Sequence, residues 1–92
     1  MSKIEVDCVP VDRGWLAHVT VDDQGSSREF EVTVSEAELA RFDTGAVDPT
    51  ALLRRSFEFL LAREPKESIL RSFELSVIGR YFPEYEREIR HS

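Results

Sequence analysis

The sequence predicts an α+β fold: a three-stranded antiparallel meander followed by a helical C-terminal half packed on one face of the sheet. Three observations carry this. Apolar and polar residues alternate with period two through residues 3–34. Residues 49–63 hold apolar positions at helical spacing over an unusually wide arc. Ser35, Pro49, Pro65 and Pro83 stand where helices start or stop. The chain reads as a single domain, 1–92, with the meander in 1–34 and helices in 35–90.

Ile4, Val6 and Cys8 alternate with Lys3, Glu5 and Asp7, the pattern of a half-buried strand. Val9 to Gly14 is expected to turn the chain. In the second strand, Trp15 to Val21, the odd positions Trp15, Ala17, Val19 and Val21 are uniformly apolar. Asp22 to Ser27 is a turn, with Gly25 free to adopt a positive φ. Phe30, Val32 and Val34 alternate with Glu29, Glu31 and Thr33 in a third strand. Short links between three strands imply a meander with one dry and one wet face.

Ser35 and Glu38 have the spacing of a capping box, so a short helix should run to about Phe42. Gly45 then ends it. The central helix follows, with Asp48 as its cap and Pro49 at its first position. Pro65 disfavours helix at Glu64 and marks its stop. At 100° per residue from Leu52, the apolar arc runs from Phe59 at about 340° round to Leu61 at about 180°. A stripe of roughly 200° is about twice that of an ordinary surface helix, so it needs cover from two directions. The meander supplies one cover. Ile69, Leu70, Phe73, Leu75, Ile78 and Phe82, in short helical pieces beyond Pro65, supply the other. The last turns, from Pro83 to Arg90, are held by Tyr85 and Ile89 alone.

Length and composition suit one small domain. Hydrophobic residues are 41% of the chain, with six Phe, two Tyr and one Trp, which is enough for a core without staples. One cysteine excludes an internal disulfide and a cysteine-cluster zinc site. No apolar run approaches the roughly 18 residues a membrane helix needs. Met1 to Glu5 turns acidic and alternating at once, unlike a secretory signal, so a cytoplasmic location is expected. The net charge is −6, unevenly placed: residues 1–48 hold 11 acids and 4 bases, and residues 49–92 hold 7 acids and 8 bases. The first half should repel nucleic acid and anionic membranes.

Catalytic chemistry finds little footing, and no enzyme, cofactor or metal is expected. Cys8 falls on the dry face, where a thiol is packing. The only histidines are His18, mid-strand on the wet face, and His91, penultimate. Nothing brings the two together as metal ligands need. Asp22 and Asp23 share a turn without further ligands. Gly14, Gly25, Gly45 and Gly79 are isolated, so no phosphate-cradling loop exists.

Two features remain. Arg80, Tyr81, Phe82 and Tyr85 form an aromatic-rich run fit either to close the core or to anchor a protein partner. The order helix–short turn–helix from Pro65 to Phe82 admits a helix-turn-helix reader, with Arg71, Arg80 and Ser76 near a duplex. Against it, the second helix carries one base, and Glu64, Glu67 and Glu74 surround it.

The run Arg63-Glu64-Pro65-Lys66-Glu67-Ser68-Ile69-Leu70, with residues 73–78 and 80–85, resembles the C-terminal half of small bacterial proteins with no assigned function. It covers under a third of the chain and brings no catalytic residues. Gly14-Trp15-Leu16-Ala17-His18-Val19 resembles the opening strands of HicB-type antitoxins, but Asp22-Asp23-Gln24-Gly25 stands where those proteins carry Pro-Asp-Leu-Pro-Gly. That function is not carried over. The expected role is therefore a non-enzymatic interaction or assembly module, a homodimer through the C-terminal aromatic segment. A nucleic-acid or toxin–antitoxin regulator using residues 65–82 is the alternative.

Overall fold

A computed structural model describes residues 3–90. The expectations for His91 and for the first two residues fall outside this range. The fold is α+β, and the helices cover one face of the sheet, as expected. The sheet itself differs from expectation: it has four strands in the order β1-β2-β3-β4, and it is mixed.

The meander comprises β1 (Lys3–Val11), β2 (Gly14–Asp23) and β3 (Ser26–Ser35). Antiparallel pairing runs from Lys3↔Asp22 to Val11↔Gly14 and from Gly14↔Ser35 to Asp23↔Ser26. The strands are longer than the alternation alone implies, because each link shrinks to two residues. Gln24 and Gly25 both have positive φ, 54° and 80°, as a type I′ hairpin turn requires. In the other link Arg13 takes the left-handed conformation (φ 64°), not its glycine neighbour. Gly14 is needed for closeness: a Cβ there would lie 2.2 Å from the Val34 carbonyl oxygen. Ala17, Val19, Val21, Phe30, Val32 and Val34 are all buried. Ile4, Val6, Cys8 and Trp15, expected on the same dry face, are only half-buried.

Helix α1 (Glu36–Phe42) has the capping box in full: Ser35 Oγ accepts from Glu38 N at 3.0 Å, and Glu38 Oε1 accepts from Ser35 N at 2.8 Å. Helix α2 (Thr50–Leu61) is the central helix. Asp48 Oδ1 accepts from Thr50 N at 2.9 Å, a bond that holds the Asp48 carboxyl below its ordinary range. Leu52, Leu53, Phe57, Phe59 and Leu60 are buried and Leu61 is half-buried. The cover comes from the two expected sides. Phe57 meets Phe30 of the sheet with ring centres 5.1 Å apart, while Phe59 meets Phe82 and Tyr85 at 5.8 and 5.2 Å. Burial of one such side chain contributes about 1.5–3 kcal/mol.

Beyond Pro65 the expected helical pieces give way to other structure. Lys66–Ser68 is a single 3₁₀ turn, and Ser72–Glu74 is strand β4, lying parallel to β3 with Phe73 beside Val32. The main chain closes this pairing through Glu31 N to Arg71 O (2.7 Å) and Leu75 N to Thr33 O (3.0 Å). Parallel strands need a long crossover, and α1 with α2 provides it. Helix α3 (Val77–Tyr81) and helix α4 (Tyr85–Arg90) finish the chain. The helix–turn–helix order expected over residues 65–82 is thus absent, because a strand occupies its middle. Among the described residues no helix is long and apolar enough to cross a membrane.

Candidate functional site

The C-terminal segment turns back over the end of α2 and leaves a groove there. It is lined by Leu60 and Glu64 at the end of α2, by Ile69, Leu70 and Phe73 of the segment that leads into β4, and by Val77, Ile78, Tyr81 and Phe82 of the α3 region. Its volume is about 270 Å³. Two side chains project from its border into solvent: Leu70 is 49% exposed and Tyr81 67%. Glu64 is the one charged group in the lining.

The four residues singled out in the aromatic run do not stay together. Arg80 and Tyr81 are exposed on α3, and Phe82 is half-buried against Phe59. Tyr85 is fully buried and belongs to the core, not to the surface. Its ring packs on Phe42 as well as Phe59, and its hydroxyl lies 2.7 Å from Ser56 Oγ. Ser56 donates its own proton to the Leu52 carbonyl at 2.7 Å, so Tyr85 is the donor of the pair. Burial pushes the Tyr85 hydroxyl up to about 12. A signal for Ser56 was present: it stands at about 40° in the apolar arc, between Leu52 at 0° and Leu60 at about 80°.

The end of α2 is held by charge pairs that the sequence did not reveal. Arg63 stacks over Phe59, 3.6 Å from the ring centre, and its guanidinium reaches Glu84 at 3.2 Å and Glu88 at 3.0 Å. These pairs tie the end of α2 to α4. The Glu84 carboxyl is held below its ordinary range by its own backbone amide and then by Arg63, and Arg41 of α1 pairs with Glu86 of α4 and lowers that carboxyl's pKa through its hydrogen bond. Lys66 is 5% exposed; its ammonium donates to the Asp23 carbonyl at 3.1 Å and pairs with Glu67 at 3.1 Å. The 3₁₀ turn is thereby anchored to the β2–β3 hairpin.

The other candidate residues stay apart. Cys8 is half-buried, with Sγ 3.6 Å from Thr50 Oγ1, and burial pushes its thiol up. A thiol so placed is a poor nucleophile. His18 sits on the open face of the sheet, 3.6 Å from Glu29. Asp22 is bonded to the Ser27 hydroxyl within its hairpin. Among the described residues, no group of three His, Cys, Asp or Glu side chains could hold a metal ion. Arg71 and Arg80 are both exposed, but the Ser76 amide is taken, donating to Glu38 Oε2 at 2.8 Å. No protein-family model, curated protein or solved structure matches this chain.

Proposed function

We propose that this chain is a non-enzymatic assembly module, and that it self-associates through the groove at the end of α2. The observation that supports this reading is the pairing of an apolar hollow with two apolar projections, Leu70 and Tyr81, on its own border. A twofold interface must be self-complementary, presenting both a ridge and a recess. Charge favours the same place. All of the lining comes from residues 60–82, in the half of the chain where bases and acids nearly balance. Two copies of net charge −6 meet there with least repulsion. Tyrosine flanked by arginine, as Arg80-Tyr81 is, commonly anchors protein contacts. The anchor set is therefore Arg80, Tyr81 and Leu70, with Phe82 lining the groove. Tyr85 acts by holding α4 under it.

Sedimentation of the whole chain over a wide concentration range tests this. The expected result is a mass that rises toward twice the chain mass, and that falls back to one chain in Leu70→Ser with Tyr81→Ser. Both side chains are exposed, so the variant keeps its fold and its far-ultraviolet spectrum. A monomer at every concentration refutes self-association. Salt-dependent retardation of duplex DNA by the wild-type chain would favour the nucleic-acid reading instead.

A further inference from the structure

We propose that the free edge of β1 takes up an extended partner segment in which basic residues alternate with apolar ones. Among the described residues β1 pairs only with β2, so the outer side of a nine-residue strand has no main-chain partner. Natural proteins blunt such an edge or use it. Here the surrounding side chains define what would fit.

The inner row comes first. On β2 the residues Ala17, Val19 and Val21 are completely buried, whereas Ile4, Val6 and Cys8 beside them on β1 are only half-buried. The apolar layer stops short at the edge. One more strand with apolar side chains pointing inward would complete it.

The outer row sets the charge. Glu5 and Asp7 point to the open face, since Ile4, Val6 and Cys8 point inward. The register places Asp7 beside His18 and His18 beside Glu31; likewise Glu5 lies beside Thr20 and Thr20 beside Glu29. Four carboxylates thus stand in two rows behind the edge. Lys3, 3.5 Å from Glu5, is the only lysine or arginine on the outer face of β1. A strand laid alongside would set every second side chain next to this row, so lysine or arginine is favoured there.

A second copy of β1 does not meet these terms along the full edge from Lys3 to Val9. Antiparallel pairing about Val6 would put Glu5 opposite Asp7 of the other copy, twice over, and like charges directly opposite are destabilising. A one-residue slip would turn the apolar row outward. Pro10 offers no N–H, which limits the usable edge to Lys3–Val9. That is room for a segment of about seven residues.

Three fluorescent heptapeptides separate the outcomes: alternating Lys-Val-Lys-Val-Lys-Val-Lys, the same residues in two blocks, and alternating Glu-Val-Glu-Val-Glu-Val-Glu. In anisotropy titrations with the full chain, the alternating basic peptide should bind at least about tenfold tighter than the block peptide, a difference of about 1.4 kcal/mol. The acidic peptide should not bind. The variant Glu5→Lys with Asp7→Lys, both on exposed side chains, should reverse the preference. Leu70→Ser with Tyr81→Ser should leave it unchanged, which separates this site from the groove. Equal binding of the alternating and block peptides would reduce the effect to bulk charge and overturn the proposal. So would absence of binding, or a preference that the charge-reversed variant keeps.

Discussion

The Tyr85 hydroxyl and Ser56 Oγ meet at 2.7 Å between α4 and α2, with both residues fully buried. Tyr85 depends on Ser56 as its acceptor, while Ser56 has a second partner in Leu52 O. Ser56→Ala would strand the Tyr85 donor in the core, at a cost of about 1–3 kcal/mol. Tyr85→Phe would remove the donor and leave Ser56 bonded to Leu52 O, at a cost of about 1 kcal/mol. The double variant should be less destabilised than the sum of the two. Urea unfolding of the four proteins closes the cycle, and strict additivity would show the pair to be uncoupled.

The same hydroxyl sets an alkaline limit. Its pKa rises from 10.0 to about 12 in the folded chain, chiefly through burial. A raised value means that the protonated form is favoured by folding. The stabilisation is whole below pH 10 and is lost as pH rises toward 12. The expected loss is on the order of 2 kcal/mol. Unfolding curves at pH 9 and 12 should show a steeper fall for wild type than for Tyr85→Phe.

Glu38 has two tasks. One carboxylate oxygen accepts from Ser35 N, the other from Ser76 N, both at 2.8 Å. Glu38→Gln keeps one acceptor and should cost about 1–2 kcal/mol. Glu36→Gln, on an exposed residue in the same turn, should stay within about 0.5 kcal/mol. Thermal melts of the two variants provide the comparison. Equal effects would mean that helix-end charge alone matters.

Two glycines should respond in opposite directions. Gly14→Ala drives a methyl group into the Val34 carbonyl and Ser35 backbone, so the β2–β3 ladder must open at that end. The expected cost exceeds about 2 kcal/mol. At Gly79, within α3, an added Cβ meets nothing within 4 Å. Gly79→Ala should therefore stabilise the chain by about 0.4–1 kcal/mol. Chemical denaturation midpoints decide both.

Lys66 shows how a buried charge can be dispensable. Its ammonium donates to the Asp23 carbonyl, but Ser26 Oγ donates to that same oxygen at 3.3 Å. Lys66→Met keeps the stem and leaves the carbonyl one donor. It should cost under about 1 kcal/mol, whereas Lys66→Ala also loses the packing and should cost more. A Met variant as unstable as the Ala variant would assign the stability to the charge.

Much of this architecture was legible because its signals are local. Alternation through Ile4–Cys8, Trp15–Val21 and Phe30–Val34 fixed which side of the meander is dry. The Ser35–Glu38 spacing gave α1, and the arc from Phe59 to Leu61 demanded its two covers. β4 was illegible for a physical reason. Three residues with only Phe73 inward show no period, and the bonds that make them a strand come from β3, 41 positions earlier in the chain. The sequence leaves Tyr85 with two readings, closing the core or anchoring a partner, because tyrosine is at home in either place. The decision lay with Ser56, whose hydroxyl gives it a partner in the interior. The groove was half visible: Ile69, Leu70, Phe73, Ile78 and Phe82 were named as cover for α2, but Leu70 stands out to solvent, and the gap they leave depends on how the main chain turns after Pro65.

β4 also decides how many sides of the sheet stay open. Without it, β3 would present a ten-residue rim as bare as that of β1, and the meander would be a ribbon able to stack from both sides without end. Three residues, delivered by a crossover of two helices, cover the middle of that rim at Glu31–Thr33. What remains on that side is a three-residue edge, so the long open rim of the described sheet is that of β1 alone.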